Sequence, residues 1–90
     1  MITAQSQPAL SRGVKLRFDQ AREAWVLLAP ERMFALDQPS TEILKLVDGE
    51  RTVEAISDDL AARFNAPRDV ILADVVTFLE DLRQKGAVRS

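Results

Sequence analysis

Two pairs of adjacent carboxylates, Asp58-Asp59 and Glu80-Asp81, are the residues best placed by type to do acid–base chemistry. Such a pair works as acid and base only where the two groups converge on one proton or one bond. Both pairs fall in stretches of helical period, where neighbouring side chains diverge by about 100°. They therefore read as solvated helix faces. The chain has no Cys and no His. That removes thiolate and imidazole nucleophiles, the usual zinc ligands and the neutral-pH imidazole base. Ser40, Thr41 and Thr52 stand where helices begin, and no Gly-rich phosphate loop is present. The expectation is a protein that is not an enzyme and holds no cofactor or metal.

What remains is the chemistry of the main chain. Ala24 to Ala29 is an almost unbroken apolar run that includes the single Trp. It is too short for a lone helix and suits a strand. Pro30 ends it, having no N–H for a ladder. Arg32 to Leu36 is again short and extended, with no proline and no inward charge. As an edge strand it would present free N–H and C=O groups that recruit another chain. The plainer alternative is an edge covered by the chain's own arm or by a dimer mate.

The elements that hold this edge follow from the hydrophobic period. Residues 1–12 are rich in Gln, Ser and Thr without a period and read as a flexible N-terminal arm; residues 13–90 form one domain. Val14, Leu16 and Phe18 alternate with Lys15, Arg17 and Asp19, a half-buried first strand. From Asp37 the period becomes helical. Asp37-Gln38-Pro39-Ser40 is a helix start, and Gly49 is expected to stop that helix as a left-handed cap. Thr52 opens a second helix with a stripe of Val53, Ile56, Leu60, Ala61 and Phe64, and Asn65-Ala66-Pro67 ends it. A third runs from Pro67 or Asp69 to about Lys85, and Ala87 to Arg89 is expected to add a short extended tail. The fold class is α+β: a winged helix-turn-helix-like domain, with a three-stranded antiparallel sheet followed by three helices.

The apolar arc of the third helix, from Phe78 and Ile71 through Val75 to Leu72 and Val76, is roughly 160° wide, against the ~100° needed to pack on one core. A central helix touched from two sides explains this. A second explanation makes one margin (Leu72, Val76, Leu79) the wall of a groove. The expected peptide-binding set is Met33, Phe34, Ala35 and Leu36 with Leu72, Val75, Val76 and Leu79.

Charge narrows the partners. Residues 1–36 carry five Lys/Arg against three Asp/Glu, and residues 37–90 carry seven against eleven. An acidic helical half repels phosphates, so a winged-helix DNA-binding regulator is the rival reading rather than the first, and no nucleic acid is expected. No segment has the apolar length to span a bilayer, so no membrane association and a cytoplasmic location are expected. A monomer is expected, with pairing of two third strands as the alternative.

Arg12-Gly13-Val14-Lys15-Leu16-Arg17-Phe18-Asp19, then Trp25 to Arg32, then Ile43-Leu44 and Asp48-Gly49, closely resemble the PqqD family of pyrroloquinoline quinone biosynthesis. The likeness runs from about Pro8 onward. It implies a recognition domain for ribosomally made peptides that binds the precursor peptide PqqA. It also implies presentation of that peptide to PqqE, a radical S-adenosylmethionine enzyme that cross-links a Glu and a Tyr. In related domains the leader peptide adds beside the third strand, against the third helix. Trp25, with Arg17 and Lys15, is a candidate second surface for the enzyme, although a half-covered sheet residue is the plainer reading of Trp25.

Overall fold

The structure is a computed structural model and describes residues 1–90. Its elements are β1 (Ala9–Leu10), β2 (Lys15–Asp19), β3 (Ala24–Ala29), β4 (Arg32–Ala35), α1 (Gln38–Lys45), α2 (Val53–Phe64), α3 (Arg68–Gln84) and β5 (Val88–Arg89). The principal sheet has the order β2-β3-β4 and is antiparallel throughout. The expected fold class, three antiparallel strands followed by three helices, is the one observed.

Both hairpins are closed by local chemistry. Between β2 and β3, the Asp19 carboxylate accepts the N–H groups of Ala21 and Arg22 at 3.0 and 3.4 Å. Glu23 completes that loop in the left-handed region, at φ 52°. Between β3 and β4 the connection is Pro30-Glu31, with Ala29 paired to Arg32.

Register sorts the sheet into two faces, because directly opposed residues share a face. Leu16 and Phe34 both face Leu27, and Phe18 faces Trp25. Leu27 is fully buried in a core shared with Ile43, Leu44, Val53, Ile56, Leu60, Val75, Leu79 and Leu82. Val26 is also buried but stands outside that core, on the opposite face.

Helix ends agree with the sequence at three points. The Asp37 carboxylate accepts the Ser40 N–H at 2.9 Å, and hydrogen bonds from Ser40 hold that carboxyl below its ordinary pKa. Thr52 Oγ1 accepts the Ala55 N–H at 3.1 Å. Asn65 takes the left-handed C-cap of α2. The first helix departs from expectation: it stops at Lys45 with Leu46 as its cap, and Gly49 serves a later turn. In that turn the Asp48 carboxylate accepts the Glu50 and Arg51 N–H groups. Gly49 sits at φ +82°, donates to the Pro8 carbonyl at 2.8 Å, and a Cβ there would lie 3.4 Å from Ala9 Cβ.

The expected flexible arm, residues 1–12, is packed instead. Ile2 and Pro8 are buried, and β1 pairs antiparallel with β5. The physical reason lies at the start of α2, whose first N–H groups have no intrahelical acceptor. Val53 donates to the Ser6 carbonyl and Glu54 to the Ala4 carbonyl, both at 2.9 Å. A strap of polar residues without a period thus supplies the carbonyls that the helix lacks. Composition alone gives no sign of that.

Candidate functional site

The free edge of β4 is defined by one hydrogen bond. The Leu36 N–H donates to the Trp25 carbonyl at 3.2 Å. Hydrogen-bonded and non-bonded pairs alternate along an antiparallel ladder. Leu36, Phe34 and Arg32 therefore turn their N–H and C=O groups toward β3. Met33 and Ala35, opposite Leu28 and Val26, turn theirs away from the sheet. No hydrogen bond of the strap, the loops or any side chain ends on residues 32–35 beyond the ladder with β3. The edge is bare.

Residues near both ends of helix α3 line recesses. Lys85 and Gly86, at its C-terminal end, line a recess with Ala29, Pro30, Glu31 and Arg32 of the β3–β4 turn. At its other end Ile71, Asp74 and Val75 line a cleft with Pro39, Glu42 and Ile43 of α1 and Leu60 and Phe64 of α2. Ile71, Val75, Phe78, Leu82 and Lys85 follow helical spacing along one side. Phe34, on the inner face of β4, is half-buried beneath the Arg32 guanidinium, 5.5 Å from the ring centroid.

The expected residues divide accordingly. Met33 is 39% exposed and Ala35 is exposed, while Phe34 and Leu36 are half-buried against the core. Val75 and Leu79 are core residues, 1% and 0% exposed. Leu72 and Val76 are half-buried on the other margin of α3, the one that continues to Arg83 and Glu80. There the Glu80 carboxylate accepts the Ile2 N–H at 2.9 Å and binds the Arg83 guanidinium at 2.9 and 2.7 Å. The Arg83 contact foremost, then the Ile2 N–H and Gln84, hold that carboxyl far below the ordinary carboxylate range. The strap is thus hydrogen-bonded beside the margin of Leu72 and Val76, while Ile71 of the opposite margin lines the cleft with α1 and α2. The sequence signal for the second margin was present in the same arc. Nothing in one helix says which of its two sides meets the strand.

Trp25 does not share a surface with Arg17 and Lys15. It lies on the inner face, edge-to-face with Phe18 at 5.7 Å and under the Lys45 ammonium at 4.9 Å. Arg17 and Lys15 lie on the outer face, opposite Val26 and Leu28.

Fold and edge together define a small winged-helix-like domain with an uncovered sheet margin beside a long helix. The model of the family described as "Coenzyme PQQ synthesis protein D (PqqD)" matches residues 24–88. A "PqqA binding protein" of Bradyrhizobium diazoefficiens is 49% identical over 85 residues, covering 94% of this chain and 82% of the relative. A protein of the same description from Xanthomonas oryzae pv. oryzae is 44% identical, covering 98% and 96%. Among solved structures, the PqqD truncation of Methylobacterium extorquens PqqCD, described as a stand-alone recognition element for ribosomally synthesised and modified peptides, superposes with TM-score 0.87. It is 42% identical, covering 100% of this chain and 96% of that one. PqqD of Xanthomonas campestris superposes with TM-score 0.64 at 40% identity, each chain covered in full. The chain belongs to the PqqD family. No helix is long and apolar enough to cross a membrane.

Proposed function

We propose that this protein binds the ribosomal precursor peptide PqqA as an added strand on β4 and presents it to the radical S-adenosylmethionine enzyme PqqE, without catalysis of its own. The observation that carries this reading is the outward pair of backbone groups at Met33 and Ala35, left bare by the strap. The relatives' description as PqqA-binding proteins supports the choice of peptide.

A guest strand hydrogen-bonded to Met33 and Ala35 would turn alternate side chains inward, into the row that already holds Leu16, Leu27 and Phe34. Those side chains would lie between Phe34 and the α3 side of Ile71 and Phe78. Main-chain bonds offset part of the ordering entropy of a flexible peptide, roughly 1–2 kcal/mol per residue. The inward row then selects sequence. Once held, the peptide meets its enzyme at high effective concentration.

The winged-helix DNA reading is weaker on electrostatic grounds. The basic residues of α3 are already neutralised within the protein: Arg68 by Asp58 and Glu54, Arg83 by Glu80, Lys85 by Asp81. Its solvent side carries Asp69, Asp74 and Asp81.

Titration of isotope-labelled protein with PqqA tests the proposal. Amides of Met33 and Ala35 should shift first and saturate, with Ile71 and Phe78 following. Unchanged spectra at several hundred micromolar peptide would overturn it.

A further inference from the structure

The outer face of the principal sheet is apolar where an open antiparallel face is ordinarily polar. Its rows are Lys15–Leu28–Met33 and Arg17–Val26–Ala35. Lys15, Arg17, Met33 and Ala35 are exposed on it and Leu28 is half-buried, while Val26 is 2% exposed at its centre. Val26 and Leu28 run down the middle, and Met33 extends the apolar band to the β4 edge. Along the β2 side stand Lys15 and Arg17, which make no ion pair and no hydrogen bond, and whose ordinary opposite charges are absent from the face. Asp19, the one carboxylate of β2, is turned into its own hairpin and paired with Arg22 at 3.3 Å. In the helical half, by contrast, nearly every cation has a carboxylate partner.

We propose that this face docks a protein partner whose contact patch is apolar and edged with carboxylates, and that a strand added to β4 widens the face so that the partner reads adaptor and guest together. Charge complementarity names the partner's chemistry: unpaired Lys15 and Arg17 beside an apolar band fit an acidic rim around an apolar centre. The second half rests on the strand addition proposed above. Guest residues opposite Met33 and Ala35 share their face, so every second guest side chain prolongs the Leu28–Met33 and Val26–Ala35 rows. A partner seated there gains contacts when the peptide is present, and a peptide held in the wrong register offers it the wrong side chains.

The test uses the full chain with PqqA and PqqE as probes, measuring peptide affinity and enzyme affinity separately. Lys15→Glu with Arg17→Glu should leave peptide affinity within about twofold, because β2 lies two strands from the β4 edge. The same variant should weaken capture of the enzyme tenfold or more. Lys15→Gln with Arg17→Gln, which removes charge without reversing it, should fall between, and adding salt should weaken the wild-type complex. Peptide should tighten the enzyme complex of the wild type. Enzyme affinity unchanged in the charge-reversed variant, or no enzyme binding by the wild type, would overturn the docking face. Failure of the wild type to bind peptide would instead overturn the strand addition, and with it only the claim that guest and face are read together.

Discussion

The Leu36 N–H meets the Trp25 carbonyl at 3.2 Å, and this one bond sets which backbone groups of β4 face outward. Shifting the pairing by one residue would turn Met33 and Ala35 inward and expose the amides of Phe34 and Leu36 instead. Proline substitution reads this alternation directly. Ala35→Pro removes an outward N–H and no ladder bond, so the domain should stay folded while peptide affinity falls about fivefold or more, the worth of one net hydrogen bond of roughly 1 kcal/mol. Phe34→Pro removes a bond to β3 and should lower thermal stability first. Calorimetric titration beside a melting curve separates the two.

The two margins of α3 make opposite predictions. Ile71→Lys places a charge between the recesses, where a guest's inward side chains would lie, and should weaken peptide binding tenfold or more with little change in melting temperature. Val76→Lys, on the margin toward Glu80, should disturb packing near the strap and leave the affinity of the folded protein within about threefold. The reverse pattern would make Leu72 and Val76 the groove wall.

Leu79 separates core from site. It is fully buried, so Leu79→Ala should cost about 2–5 kcal/mol, a large share of the roughly 5–15 kcal/mol that holds a small domain together. The fraction that remains folded should bind peptide as the wild type does. Denaturant melts corrected for folded population check both statements.

Glu80 predicts a pH dependence. Its carboxyl is held far below the ordinary carboxylate range, chiefly by Arg83 and then by the Ile2 N–H. A depressed carboxylate stabilises the fold above its unfolded pKa, and that contribution is lost as pH falls from about 4.5 toward its lower folded value. Melting temperature should therefore be flat in this respect near neutrality and decline below about pH 4.5. Glu80→Gln should show a shallower decline, because the amide can still accept the Ile2 N–H but carries no charge for Arg83. Faster amide exchange at Ile2 in Glu80→Ala would confirm that the strap is tied at this point.

Much of the architecture was legible in the chain because it is specified locally. Alternation at Val14, Leu16 and Phe18 put those residues on one face, and the register with Leu27 and Trp25 agrees. The capping roles of Asp37 and Thr52, and the breaks at Pro30 and Asn65, are short-range steric and hydrogen-bonding effects. Three features were not legible. Gly49 looked like a helix stop because a glycine after an apolar run usually is one; its left-handed conformation instead shapes the turn that receives Pro8. The strap looked mobile because its apolar anchors, Ile2 and Pro8, have no period. Trp25 could be read as a half-covered sheet residue or as a companion of Arg17 and Lys15; it is half-buried, and strand pairing puts it on the face opposite theirs.

The sequence by itself determined the kinds of element, their order, the bare strand after Pro30 and the over-wide apolar arc of α3, since each depends on neighbours within a few residues. Only the tertiary structure decided which backbone groups of that strand are free and where the N-terminal strap lies. Those depend on pairing register and on contacts such as Glu80 with Ile2, made between residues 78 positions apart, which no local period encodes.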